Sequence, residues 1–226
     1  MTEKCVYCDY VYKSDEERQQ HSCKFLEREK EARTTDGLAT WNLYKYWRSL
    51  TGHRPPDYNA FIQSRYYTIF SNLLLYIRKN GMPDPQHYIK FCSDLRLLPN
   101  NWCMSEVYID YLIHFDNTVP PETQFRISVK TISTLANIID CKPNEVLLYL
   151  NFDEILKFIH SRALSPWYLL FSNAFDFIYN KKLTREEKVV CDSIIDRNKW
   201  LEKMRTDKES TKFIINLAKS HNILNR

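Results

Sequence analysis

Phe61-Ile62-Gln63-Ser64-Arg65-Tyr66-Tyr67-Thr68-Ile69-Phe70-Ser71-Asn72-Leu73-Leu74-Leu75-Tyr76-Ile77 decides the fold class. Its apolar side chains at 61, 62, 66, 69, 70, 73, 74 and 77 recur at i, i+3 and i+4, the period of an amphipathic helix. A half-buried strand would alternate instead. The stripe runs on to Gly81. The same period continues outward from it in both directions. Upstream, Trp41, Leu43, Tyr44, Trp47 and Leu50 share one face before the break at Gly52 and Pro55-Pro56. Downstream, a helix is predicted from about Asp84 to Ser93, and another over Ser105 to Phe115 with Val107, Tyr108, Tyr111 and Leu112. Pro120-Pro121 opens a long helix carrying Phe125, Ile127, Ile132, Leu135, Ile138 and Ile139, since proline suits a first turn.

The last third carries start signals. Asp153-Glu154 serves a helix start, and Ser165-Pro166 starts a helix through Tyr179. Thr184-Arg185-Glu186-Glu187 has the spacing of a capping box and launches a helix toward Arg205; Asp207 to Ser220 is a final amphipathic helix. The expected body is therefore all-α, a multi-helix globular domain over residues 38–226. Trp41, Trp47, Tyr67, Phe70, Trp102, Tyr111, Leu135 and Trp167 are its expected buried residues.

Composition agrees. The chain has 226 residues, 44% hydrophobic and 27% charged, enough for one sizeable core and too apolar for a disordered tail. It has only 3 glycines, which excludes most phosphate-cradling and dinucleotide-binding loops and argues against a β-sandwich or barrel. No apolar run approaches a membrane span, and the opening Met-Thr-Glu-Lys-Cys has no apolar leader region. No membrane partner and no small-molecule substrate are expected. The 7 cysteines are an odd count, crowded at the N-terminus and otherwise isolated in or beside helical patterns. A disulfide framework would pair and spread them, so a reducing cytoplasm is expected.

The crowded cysteines carry the chemistry. Cys5-x2-Cys8-x12-His21-x-Cys23 supplies thiolates and an imidazole at zinc-ligand spacing, with two thiolates presented from one tight turn. The gap to His21 is that of a ββα finger. Tyr12 lies where such fingers place a core aromatic, and Ser14-Asp15-Glu16-Glu17 is a capping box where the finger helix should begin, with His21 two turns in. A small N-terminal zinc finger, a β-hairpin plus helix over residues 1–23 holding Zn2+, is expected, followed by a charged helical connector at 24–37. The fourth ligand departs from the pattern. Cys23 is the one nearby candidate, yet two residues along a continuous helix rotate a side chain by about 200°. Either the helix opens at Ser22 or the ligand set differs.

Residues 5–23 resemble the C2H2/C2HC zinc-finger family. A longer stretch, about residues 5–130, resembles a group of tailed-phage proteins of the T-even-like kind. It does so through the finger, the mixed-charge connector, Ser64-x-Tyr66-Tyr67-x-x-Phe70, and Trp102-Cys103 followed by Tyr108 and Tyr111. That resemblance implies a phage origin, a zinc ion and the cytoplasm of an infected bacterial host. It implies no activity.

Catalytic motifs with a mechanism are missing, so a non-enzymatic protein is expected. Cys103 and Cys191 read as small buried hydrophobes, and His87 and His160 as core or interface histidines. Residues 1–50 hold nine basic against nine acidic residues, whereas residues 181–226 hold twelve against seven. A nucleic-acid surface would therefore use Lys181, Lys182, Arg185, Lys188, Arg197, Lys199, Lys203 and Arg205, with Arg48, Arg54, Arg65, Arg78 and Lys79 as a second cluster. The expected function is an accessory protein binding nucleic acid in phage replication, recombination or transcription. The alternative is an adaptor that docks a polymerase, helicase or virion component, with the finger as a structural module.

Overall fold

A computed structural model describes residues 3–8 and 10–224, except the side chain of Arg197. Helices account for about three quarters of it. Extended pairing among the described residues is one antiparallel bridge, Lys4 with Val11, flanked by Cys5 N–H donating to the Tyr10 carbonyl (2.8 Å) and Tyr12 N–H to the Glu3 carbonyl (2.9 Å). No sheet forms among the described residues, and the fold is all-α.

The chain divides into two compact units. The first comprises Met1–Lys79 and Asp84–Ile109, the second Asn80–Pro83 and Asp110–Arg226. In the first unit lie α1 (Asp15–Gln20), α2 (Lys24–Ala32), α3 (Thr35–Leu50), α4 (Tyr58–Gln63), α5 (Arg65–Asn80, all but its last residue), α6 (Pro85–Asp94) and the opening of α7 (Ser105–Thr118). Its core is aromatic. Tyr44 stacks on Phe61 with centroids 4.5 Å apart, and Trp102 meets both Trp47 and Phe70 edge-on. The Trp102 indole N–H donates to the Leu97 carbonyl (3.1 Å), and its own carbonyl accepts from the buried Tyr88 hydroxyl, so the apolar cluster leaves these polar atoms satisfied. α2 crosses α3 at Gly37, where an added Cβ would sit 2.3 Å from the Ala32 Cα. Only glycine permits that approach.

The expected stripe from Phe61 to Ile77 is two helices, not one. Ser64 is extended (ψ 161°), and its hydroxyl accepts from the Tyr66 N–H (3.2 Å), so it ends α4 and starts α5. The face continues across the break: Phe61, Ile62, Tyr67, Phe70, Leu73, Leu74 and Ile77 are all buried. Trp41 and Trp47, expected in the core, are half-buried.

The second unit holds the rest of α7, then α8 (Pro121–Ile139), α9 (Val146–Tyr149), α10 (Phe152–His160), α11 (Pro166–Phe171), α12 (Asn173–Phe177), a π-helical turn (Ile178–Lys182), α13 (Arg185–Ile194), α14 (Arg197–Thr206) and α15 (Lys208–Ser220). Phe125, Ile132, Val146, Ile155, Trp167 and Ile214 lie in one core, with Leu135 only partly buried against it. Two long helices expected here are each interrupted. Ser172 accepts from the Phe175 N–H (3.3 Å) and restarts the chain after α11; Asp196 accepts from the Lys199 N–H (3.0 Å) and separates α13 from α14. Both are capping residues whose side chains compete for backbone donors. The Thr184–Glu187 capping box forms in full, as does a second at Asn151–Glu154.

Candidate metal centre

The four ligands predicted from sequence come together. One donor atom each from Cys5, Cys8, His21 and Cys23 lies within 4.8 Å of every other, the one such group of at least three His, Cys, Asp or Glu among the described residues. Cys5 and Cys8 flank a tight turn, and the Lys4–Val11 bridge brings the chain back past it. Ser14 then caps α1 by accepting from the Glu17 N–H (3.2 Å). The Glu17 carboxylate, expected to return to Ser14, accepts from the Lys13 N–H instead (2.8 Å).

His21 is not inside a helix. α1 stops at Gln20, and His21 is its extended C-cap (φ −67°, ψ 106°); Cys23, also extended (φ −89°, ψ 106°), is the N-cap of α2. Extended backbone alternates its side chains, so residues two apart share a side. His21 and Cys23 therefore converge on the centre. Ser22 is exposed, its hydroxyl donating to Glu27 (2.6 Å). This resolves the 200° conflict, with the helix opening before His21 rather than at Ser22.

Burial and neighbours shape the donors. Cys5 and Cys23 are buried, Cys8 and His21 half-buried. Tyr10 stacks on the His21 ring at 5.0 Å and Tyr12 meets it edge-on at 5.4 Å, fixing the imidazole plane. The Tyr7 backbone N–H, and after it the Tyr12 phenol, draw the Cys5 thiol down to about 6. Hydrogen bonding to that sulfur pushes the Tyr12 phenol up to about 12. At Cys8 the Tyr10 N–H pulls downward, but burial and the Cys5 and Cys23 sulfurs outweigh it and leave the thiol raised.

The donor set fits zinc. All seven cysteines are free thiols, and the Cys5 and Cys23 sulfurs stand 3.6 Å apart, far beyond a disulfide bond. The Cys8 sulfur lies 3.3 Å from His21 Nε2. A tetrahedral zinc would separate two sulfurs by about 3.8 Å and a sulfur from a nitrogen by about 3.5 Å. These four residues can hold such an ion.

The basic residues of the second cluster do not form one patch. In the second cluster Arg78 is committed to Asp36 through two hydrogen bonds (2.5 and 2.8 Å). Arg65 and Arg78 sit at opposite ends of α5, about 20 Å apart along its axis. Arg48 donates to the Arg54 carbonyl (3.3 Å), Arg65 lies over the Tyr66 ring, and Lys79 is exposed. In the first cluster Lys181, Lys182, Arg185, Lys199 and Arg205 are exposed, and Lys188 and Lys203 lie half-buried over Tyr179 and Trp200. The Arg197 side chain lies outside the described residues.

Elsewhere, burial pushes the Cys92 thiol up to about 12 and raises Cys103, while Cys191 is fully buried. His160, expected in the core or at an interface, is exposed and so is not a core residue. No helix among the described residues is long and apolar enough to cross a membrane. No protein-family model, curated protein or solved structure matches this chain.

Proposed function

We propose that Cys5, Cys8, His21 and Cys23 hold one structural zinc ion closing a small finger, and that the protein is a non-enzymatic nucleic-acid-binding accessory factor. Four protein donors complete a tetrahedral shell and leave no position for substrate, the arrangement of a structural rather than a catalytic zinc. The ion would supply folding energy and no reaction step. The observation carrying the binding reading is the state of the C-terminal cations. Among the described residues, Lys181, Lys182, Arg185, Lys188, Lys199, Lys203 and Arg205 join no ion pair, whereas Arg78 does. Cations free of acidic partners are available to phosphates. With the phage resemblance, this reading places the protein in phage replication, recombination or transcription.

Fluorescence anisotropy with labelled single-stranded and duplex DNA across a salt series tests it. Affinity should fall steeply with salt, and Lys181→Glu with Lys182→Glu should flatten the log–log slope by roughly 0.7–0.9 for each phosphate no longer neutralised. The weakening should be equal for all sequences, since phosphate contacts carry no base information. Absence of binding at about 50 mM salt, where such contacts are strong, would favour the adaptor reading. One observation supports that alternative. Val6 and Tyr7, at the tip of the cysteine turn, are 89% and 43% exposed beside a 330 Å³ pocket lined by Phe25, Glu29, Asn59, Ile62 and Gln63.

A further inference from the structure

α14 and α15 pack together and enclose a shallow groove of 560 Å³, of which the phosphate-binding reading uses only the Arg205 edge. Its floor is Met204, buried, with the half-buried Thr211 and Ile215; its edges are the exposed Arg205, Lys208 and Lys212. The Thr211 hydroxyl donates to the Met204 carbonyl (2.8 Å), so its proton is used within the protein. The nearby acids leave the cations alone. Asp207 caps α15 by accepting from the Ser210 N–H (3.1 Å), and Glu209, three residues before Lys212, forms no ion pair with it among the described residues. Lys208 occupies the first position of α15, where the helix dipole disfavours positive charge.

We infer that this groove docks an acidic amphipathic helix of a partner protein, its apolar anchor on Met204 and Ile215 and its carboxylates facing Arg205, Lys208 and Lys212. Charge complementarity selects the occupant. A phosphate backbone would meet the cations but gain nothing from an apolar floor. A purely apolar helix would use the floor and leave three cations without partners. An acidic helix with apolar residues at i, i+3, i+4 and i+7 matches both, the usual mode of a helix laid in a groove. Methionine on the floor adapts to the anchor's shape. The groove shares Arg205 alone with the cations assigned to nucleic acid.

The test uses the full-length protein and a fluorescein-labelled peptide of about sixteen residues, long enough for a helical face. Leucine stands at the helical spacing and glutamate at most other positions. A control peptide replaces each glutamate with lysine. The glutamate peptide should give a saturable rise in anisotropy and the lysine peptide none. Lys208→Glu with Lys212→Glu, both exposed, should weaken binding by about tenfold or more, because two attractions become repulsions. Ile215→Asp should weaken it as well, and Lys181→Glu with Lys182→Glu should leave it unchanged. Circular dichroism confirms that each variant keeps its helices. Equal binding of both peptides, no saturable binding, or indifference to the Lys208 and Lys212 reversals would overturn the inference. So would light scattering showing a dimer that Ile215→Asp dissolves, which would make the occupant a second copy. Lys208 and Lys212 reversals that abolish DNA binding while sparing the peptide would make the groove a phosphate site.

Discussion

Among the described residues from Glu3 to Cys23, only Cys5 and Cys23 are buried, whereas α5 alone buries Tyr67, Phe70, Leu73, Leu74 and Ile77. The first region has one bridge and a six-residue helix; the second is one element of an aromatic core. Apolar burial of about 25 cal/mol per Å² accounts for the helices and has almost nothing to act on before residue 23. Two stabilising principles therefore sit side by side in one chain, and each should respond to a perturbation that leaves the other untouched.

The largest expected effect is loss of the metal. Purified protein should carry one equivalent of zinc by elemental analysis, and Cys5→Ser or Cys8→Ser should lose it. Structural zinc contributes apparent binding energy on the order of 10–16 kcal/mol, so chelation should expose residues 3–23 to rapid hydrogen exchange. Far-UV circular dichroism should change little, because the long helices remain. Slow exchange of those amides in metal-free protein would erase the comparison.

Next in size is the core. Trp167→Ala should cost about 3–5 kcal/mol in urea unfolding by leaving a cavity, with zinc content unchanged. Trp167→Phe should cost clearly less, because the buried Trp167 Nε1 has no hydrogen-bond partner to lose. A smaller contrast compares two caps. Asn151→Ala should remove about 1 kcal/mol from the helical body, while Ser14→Ala should leave the body's urea midpoint where it is. A shift of that midpoint by Ser14→Ala would show the two regions to be coupled.

The smallest effect is in acid. The Arg78 guanidinium bonded to Asp36 holds its carboxyl below the usual carboxylate range. A depressed folded-state pKa adds stability that is present above the unfolded pKa near 4 and lost as pH falls through the folded value. Asp36→Asn should therefore slightly lower the melting temperature at pH 6 and leave it nearly unchanged at pH 2. Equal shifts at both pH values would assign the change to packing instead.

The helices were legible because apolar period is a local property, and the four clustered donors because a tetrahedral metal site constrains the spacing of its thiols and imidazole. What escaped was local competition and distant pairing. Ser64, Ser172 and Asp196 lie inside or beside stripes that read as continuous, and each breaks one by turning its side-chain oxygen on a backbone N–H. Nothing in the apolar period marks a serine as cap rather than spacer. Arg78 read as an available cation because its partner Asp36 is 42 residues away. The orientation of Cys23 was an open conflict, since the spacing that suited a finger helix for His21 forbade it for its neighbour.

The extended path from His21 to Cys23 also sets what insertions the gene can tolerate. Because side chains there alternate, adding or deleting one residue between the two ligands would turn Cys23 away from the centre. It would also shift the N-cap of α2, which Cys23 supplies, so one codon would disturb both the four-donor cluster and the helix start. The exposed surface of α1 carries no such register constraint on residue type. Variation in length should therefore be purged from residues 21–23, while substitutions accumulate more readily at the exposed Asp15, Gln19 and Gln20 than at Glu17, which accepts from the Lys13 N–H, or Arg18, which pairs with Glu3.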